Sequence, residues 1–292
     1  MSMTWDGAPP PEAAPPGLRG WLRIARRATL IVVTILLGLA LLLPLRLIER
    51  PLFGLHRPWT PWITQAVCRV CLLWMGLGFD RTGSPMRHRG AVVANHSSWL
   101  DIFVLNASDR VHFVSKSEVS GWPGIGPLAR AAGTLFIARD PRQARVQAQL
   151  FEERLMAGQR LLFFPEGTST DGLRVLPFKT TLFAPFLAPA LHDVLWVQPV
   201  TAVYHAPAGA ADARTYGWWG DMSFGSHLLS TLALPRQGRV EVVYHPALRA
   251  VDFADRKTLA AAAEAAVRAG HTLAVDDGRD PEDARRRRDS FF

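Results

Sequence analysis

Two short stretches of this 292-residue chain carry residue types able to move a proton or hold an oxygen-rich group. The first is Asn95-His96-Ser97-Ser98-Trp99-Leu100-Asp101. A carboxylate bonded to one imidazole nitrogen fixes the tautomer and leaves the other nitrogen free to accept a proton. His96 and Asp101 then make a base able to activate a hydroxyl. Alone, H-x-x-x-x-D recurs by chance in a chain with nine histidines, and an imidazole that merely caps a helix is the bland alternative. The second stretch is Phe163-Phe164-Pro165-Glu166-Gly167-Thr168-Ser169. An apolar run enters a tight turn bearing a carboxylate, a glycine and hydroxyls. Gly167 lets backbone approach a ligand closely, and Thr168, Ser169 and Thr170 offer hydrogen bonds. In isolation this segment reads better as a plain strand-to-loop turn. No G-x-S-x-G nucleophile elbow occurs. Cys68 and Cys71 have C-x-x-C spacing, but no second pair completes a zinc site and no βαβ pattern surrounds them, so no metal is expected.

The elements that must position these residues begin near Arg81, where short β-rich runs alternate with helical stretches. Strands are expected over Ala91–Ala94, Val111–Val114, Thr134–Ala138, Arg160–Phe164, Leu195–Tyr204 and Arg239–Tyr244. His96 then leaves a strand end, where α/β domains place their sites. A helix over Ser98–Asn106 puts Asp101 in its first turns. Asp140-Pro141 reads as an N-cap and first helical residue, with Gly158 closing that helix. Asp255 opens an alanine-rich helix that Gly270 is expected to end. Strand–helix alternation predicts an α/β domain, with a largely parallel central sheet flanked by helices, over residues 80–275.

Residues 1–17 are rich in Pro, Ala and Gly and read as a disordered tail. A basic flank follows, then the apolar run Ala28 to Leu45, at the low edge of what can cross a bilayer. Gly38-Leu39-Ala40 imitates a signal-peptide cleavage site but lies inside the run, so a retained membrane helix is expected. Trp59 to Leu77 is apolar with Arg69 in its middle. It reads as an interfacial helix, with a core helix as the equal alternative. Residues 18–79 are thus an anchoring helical segment, and 276–292 a charged tail. The net charge of +8 suits an anionic membrane surface or simple solubility. No nucleic-acid recognition motif accompanies it. Without a disulfide framework, the catalytic domain suits a reducing, cytoplasmic setting.

The ordered pair NHSSWLD and FPEGTST resembles the glycerolipid acyltransferase superfamily, typified by 1-acylglycerol-3-phosphate acyltransferases. Gly133-Thr134-Leu135-Phe136-Ile137-Ala138-Arg139 is similar to its second motif, and Val197-Gln198-Pro199-Val200 to its fourth. The resemblance covers roughly residues 80–205. It implies that His96 deprotonates the acceptor hydroxyl, that Asp101 orients His96, and that the hydroxyl attacks an acyl thioester directly. It further implies an oxyanion held by backbone N–H groups near the first motif, and an acceptor headgroup bound by Glu166, Gly167, Thr168 and Ser169, with Arg139 adding positive charge. The same scaffold without catalysis is a rival that the intact His96, Asp101 and Glu166 oppose.

One departure is informative. Phosphate-accepting members read E-G-T-R-S, and an arginine there suits a phosphate; this chain has Ser169. FPEGTSTDG with LPFK, Lys116-Ser117-Glu118, Gly121-Trp122-Pro123 and Trp218-Trp219-Gly220-Asp221-Met222 looks more like lyso-ornithine lipid O-acyltransferases. Lys116 joins the substrate-binding candidates on that ground. Those enzymes accept a hydroxyl on a 3-hydroxyacyl chain amide-linked to an amino acid. The alternative acceptor is 1-acylglycerol-3-phosphate, with Arg174 and Lys179 supplying a phosphate site. The implied donor is acyl carrier protein or coenzyme A as a thioester, with no resident cofactor. The implied place is a bacterial-type inner membrane, with the catalytic domain facing the cytoplasm.

Overall fold

The chain is described from a computed structural model covering residues 5, 7, 9–11, 15–138, 140, 142 and 144–279. The apolar N-terminal run lies within one helix, α1 (Leu18–Phe53), of 36 residues. At 1.5 Å per residue it is about 54 Å long, against roughly 30 Å of bilayer hydrocarbon. Among the described residues it is the one helix long and apolar enough to cross a membrane. Val32, Val33, Leu36, Leu37, Leu41 and Leu47 are exposed along it. A second helix, α2 (Thr60–Met75), folds back against it. Its N-terminus has no side-chain cap of its own. Glu49 of α1, fully buried, supplies one: it accepts from Trp59 N–H at 2.8 Å, Thr60 N–H at 3.2 Å and Thr60 Oγ1 at 2.6 Å.

The core alternative describes one face of α2, and the other face is exposed. Cys68, Cys71, Leu72 and Met75 are buried in the main core, while Trp62, Leu73 and Trp74 are exposed. Both cysteines are free, and no cluster of metal-ligating side chains occurs among the described residues.

The catalytic half follows as β1 (Gly78–Thr82), β2 (Gly90–Ala94), α3 (Asp101–Ser108), β3 (His112–Lys116), α4 (Ile125–Ala132), β4 (Leu135–Ile137), α5 (Ala144–Met156) and β5 (Leu161–Phe163). After it come α6 (Pro189–His192), β6 (Trp196–His205), α7 (Phe224–Ala233), β7 (Arg239–Tyr244), β8 (Leu248–Arg249) and α8 (Arg256–Arg279). The strand order is β1-β7-β6-β2-β5-β3-β4, with β8 beside β6. The β6-β2-β5-β3-β4 section is parallel; β7 and β8 run antiparallel to β6. Six strands match the expected ones to within two residues. β1 and β8, at the antiparallel margin, were not expected.

Central β2 is buried throughout, as a strand covered on both faces must be. Its side chains alternate between two cores. Val92 and Ala94 meet the layer of α1, α2, α3 and α7; Ala91 and Val93 meet α5, α8 and the 3-10 segment Thr180–Leu187. Ile24, Cys68 and Leu72 of the helical hairpin belong to the same cluster as Val92 and Ala94. The expected boundary at residue 79 therefore cuts through β1 and through a shared core. Cleavage within α1 would strip packing from the sheet.

Two helix expectations shift. The helix after His96 starts at Asp101 rather than Ser98, because residues 97 and 98 turn back onto the Asp101 carboxylate. Asp255 caps α8 as expected, accepting from Lys257 and Thr258 N–H at 2.8 Å. Gly270 does not end it: the helix runs on to Arg279, into the expected tail. A Cβ at Gly270 would come within 2.6 Å of the His245 ring and 2.7 Å of Thr201 Oγ1, so glycine serves close helix–sheet packing. Pro199 falls where β6 passes from its pairing with β7 to that with β8. There its carbonyl still accepts from His245 N–H at 3.1 Å, and its missing N–H leaves both ladders intact.

Candidate active site

β2 and β5 are neighbours, yet the chain leaves them in opposite directions. After β2 it crosses by α3 to β3; after β5 it crosses by the Thr180–Leu187 segment and α6 to β6 on the other side. Loops at such a switch point part and leave a crevice at the carboxyl ends of the strands. The two candidate motifs occupy these two loops.

Asn95 ends β2 with a carboxamide that acts as an extra peptide group. Its Nδ2 donates to Ala202 O at 2.8 Å and its Oδ1 accepts from Ala202 N–H at 2.9 Å. The next residue is thereby released from the sheet. His96 Nδ1 lies 2.7 Å from Asp101 Oδ2. That oxygen also accepts from Ser97 N–H at 2.9 Å and Ser98 N–H at 3.0 Å. Asp101 Oδ1 accepts from Tyr204 O–H at 2.6 Å. Four donors thus surround a side chain with 0% exposure, whereas His96 keeps 21%. Burial and the nearby Asp101 charge raise Tyr204 well above an ordinary phenol, so it keeps its proton and donates. With Nδ1–H committed to Asp101, Nε2 of His96 is the acceptor nitrogen. The imidazole stacks on Phe164 at 4.0 Å between centroids, 10° from parallel, and Phe164 in turn on Phe113. Trp99 anchors the far side, its indole donating to His227 Nδ1 at 2.9 Å. Burial lowers His227 to about 4, which keeps that nitrogen an acceptor.

Glu166 holds the second loop against the first. It is 2% exposed; Oε1 accepts from His96 N–H and Oε2 from Leu176 N–H, each at 2.7 Å. Thr170 N–H returns a bond to His96 O at 2.9 Å. Desolvation raises Glu166 to about 8, outweighing the two N–H bonds, with the Asp101 charge a lesser contribution in the same direction. The expected contact of Glu166 with a headgroup meets a carboxylate already committed to backbone on both oxygens. Gly167 has φ 72°, a left-handed conformation that favours glycine, and the Lys179 ammonium packs against it. Thr168 and Ser169 remain partly exposed at the loop rim.

Lys116 ends β3, exposed on the same sheet edge but two strands from β2, about 10 Å across. Arg139 lies outside the described residues. The expected oxyanion donors next to His96 are constrained: Ser97 and Ser98 N–H are spent on Asp101.

Sequence reasoning missed Tyr204 and Trp5. Tyr204 belongs to an expected strand, but its register against Asp101, 103 residues away, carries no local signal. Trp5, within the expected tail, packs against this site. Its ring lies 6.1 Å from Trp219 and 5.0 Å from the Arg174 guanidinium, and its backbone N–H donates to Thr168 Oγ1 at 3.4 Å.

Fold and site define an α/β enzyme with an oriented imidazole base at a sheet switch point, joined to a helix suited to a membrane. The acyltransferase family model matches residues 80–201. A lyso-ornithine lipid O-acyltransferase of Rhodobacter capsulatus is 58% identical over 266 residues, covering 91% of this chain and 96% of that protein. A protein of the same name from Pseudomonas aeruginosa is 34% identical over 85% of this chain and 93% of its own. The crystal structure of the 1-acyl-sn-glycerophosphate acyltransferase from Thermotoga maritima shares the fold, with a TM-score of 0.63 over 88% of this chain and 96% of that one, at 20% identity. The chain belongs to the glycerolipid acyltransferase superfamily; it is a membrane-associated acyltransferase.

Proposed function

We propose that this enzyme acylates the hydroxyl of a lyso-aminolipid of the lyso-ornithine type, in membrane lipid biosynthesis, with acyl carrier protein or coenzyme A thioester as donor. His96 is the general base and Asp101 its orienting partner. The hydroxyl proton passes to His96 Nε2 while the oxygen attacks the thioester carbonyl. The tetrahedral intermediate collapses with cleavage of the C–S bond, and the imidazolium returns the proton to the departing thiolate. The product is an ester and a free thiol, with no acyl-enzyme and no resident cofactor. The observation that carries this reading is the 2.7 Å contact from His96 Nδ1 to a fully buried Asp101.

The acceptor assignment is supported by the 58% identical relative and by Ser169, which replaces the guanidinium that a phosphate would use. Gly167, Thr168 and Ser169 are assigned to headgroup binding, with Lys116 and Arg139 as the further cationic candidates. Glu166 is a positioning residue that clasps the two loops. The exposed apolar side of α1 sits in a bacterial-type inner membrane, with the catalytic domain on its cytoplasmic face.

The test is full-length enzyme in lipid vesicles given one acyl thioester and a panel of lyso-lipids, with products read by mass spectrometry. Lyso-ornithine lipid is expected to be acylated fastest. Faster acylation of 1-acylglycerol-3-phosphate overturns the acceptor assignment. Repeating the assay with the carrier-protein and coenzyme A thioesters identifies the donor.

A further inference from the structure

The loop beyond Thr170 presents an arginine whose geometry the reaction chemistry has not used. Arg174 makes a side-on pair with Asp171: Nε to Oδ1 at 3.1 Å and Nη2 to Oδ2 at 3.0 Å. The Asp171 side chain is 1% exposed while that of Arg174 is 52% exposed. A guanidinium has two edges able to make a two-pronged bond with a carboxylate. Asp171 takes the Nε/Nη2 edge. Nη1 has no partner among the described residues and Nη2 has only Asp171; the buried aspartate sets the plane, and the guanidinium lies over the Trp5 ring, 5.0 Å from its centroid.

The backbone of Arg174 is also tied to that of His96. Thr170 Oγ1 is 3.3 Å from both His96 O and Arg174 O, so one hydroxyl ties the arginine to the residue carrying the base. Thr170 N–H donates to His96 O and Trp218 N–H to Ser97 O, each at 2.9 Å. The Arg174 loop and the Trp218–Trp219 segment therefore flank the His96 loop. In a 3-hydroxyacyl amide of an α-amino acid, the carboxylate carbon is five bonds from the carbon bearing the reactive hydroxyl, a span of about 6 Å when extended.

We propose that Arg174, oriented by Asp171 and covered by Trp5, binds the α-carboxylate of the amino-acid headgroup of the acceptor. The proposal rests on the acceptor reading above and gives it a specificity residue. Arg174 takes the place in recognition that an arginine at position 169 has in phosphate-accepting relatives. It is placed differently because a carboxylate is planar and takes a two-pronged fork, whereas a lysine such as Lys179 offers only a point charge.

The experiment is a cycle between enzyme and ligand. The acceptors are lyso-ornithine lipid and the same 3-hydroxyacyl chain amide-linked to 1,4-diaminobutane, which is identical except that hydrogen replaces the carboxylate. The enzymes are the parent, Arg174→Gln, Arg174→Lys and Lys179→Gln, each full length in vesicles. Arg174→Gln and loss of the carboxylate should each lower kcat/KM about 10- to 100-fold, chiefly through KM, and together no further than either alone. Arg174→Lys should recover part of the loss on lyso-ornithine lipid and none on the analogue. If Arg174→Gln lowers the melting temperature, Arg174→Lys carries the same cycle. Additive losses, or non-additivity at Lys179 instead of Arg174, overturn the Arg174 subsite while leaving the acceptor assignment standing. A parent enzyme that acylates neither amide but does acylate 1-acylglycerol-3-phosphate overturns both.

Discussion

Asp101 follows β2 and Glu166 follows β5, two buried carboxylates in facing loops, and each bonds one group of the same residue, His96. Asp101 bonds the imidazole and Glu166 the backbone N–H. Asp101 gathers four donors, one of them a phenol and one the base itself. Glu166 gathers two, both from backbone, and desolvation wins there, raising it to about 8. The number of donors separates the roles. A carboxylate that must stay charged beside a base needs its burial offset by several N–H and O–H groups. A carboxyl that only clasps two loops can hold its proton. Keeping Glu166 protonated also avoids a second negative charge beside Asp101.

The sharpest way to break this contrast is at the base. His96→Ala should lower kcat about 100- to 10,000-fold without changing KM strongly, in vesicle assays of acyl transfer. Membrane attachment and the melting temperature should hold, since His96 is partly exposed and its backbone bonds survive. Asp101→Asn should approach the same loss, because an amide can present its NH2 to Nδ1 and favour the wrong tautomer. Near-parental turnover in either variant removes the imidazole from the chemistry.

Tyr204 sharpens the contrast with a smaller effect. Tyr204→Phe removes one of the four donors that hold the Asp101 carboxylate in place beneath His96. Turnover should fall about tenfold, the scale of one hydrogen bond to a charged group, with KM little changed. Parental turnover would mean that Tyr204 only packs the core.

The same contrast explains what could be read from the sequence. Asp101 was legible because its partner lies five residues away, within one loop, and the spacing itself states the contact. Tyr204 was not, because its bond depends on the register of β6 against β2, which a local pattern does not carry. Strands with apolar runs were legible at β2, β5 and β6, where both faces are covered. β1 escaped because its Phe79, Asp80 and Arg81 show neither alternation nor burial. Gly270 misled for a physical reason: glycine ends helices by conformation but also lets two backbones approach, and the sequence alone does not tell which. Trp5 was hidden in a proline-rich stretch whose composition says disorder, although Trp5 itself docks between the Arg174 guanidinium and the Trp219 ring.

Glu166 gives a test on stability rather than turnover, and the most specific one. Its pKa rises from an ordinary value of 4.5 to about 8 on folding, so below pH 4.5 both states are protonated and the carboxyl adds no pH dependence. Between 4.5 and 8 the unfolded chain loses the proton while the folded chain keeps it. The folded state then binds more protons, and stability falls as pH rises through that window, levelling above about 8. Glu166→Gln cannot titrate and removes this slope, at the cost of turning one amide N–H toward a backbone donor. The variant should be the less stable protein at pH 5, and the gap in melting temperature should narrow steadily toward pH 8. A gap that stays constant would show that the two backbone N–H groups hold Glu166 ionised throughout, and the distinction between the two loops would then rest on geometry alone.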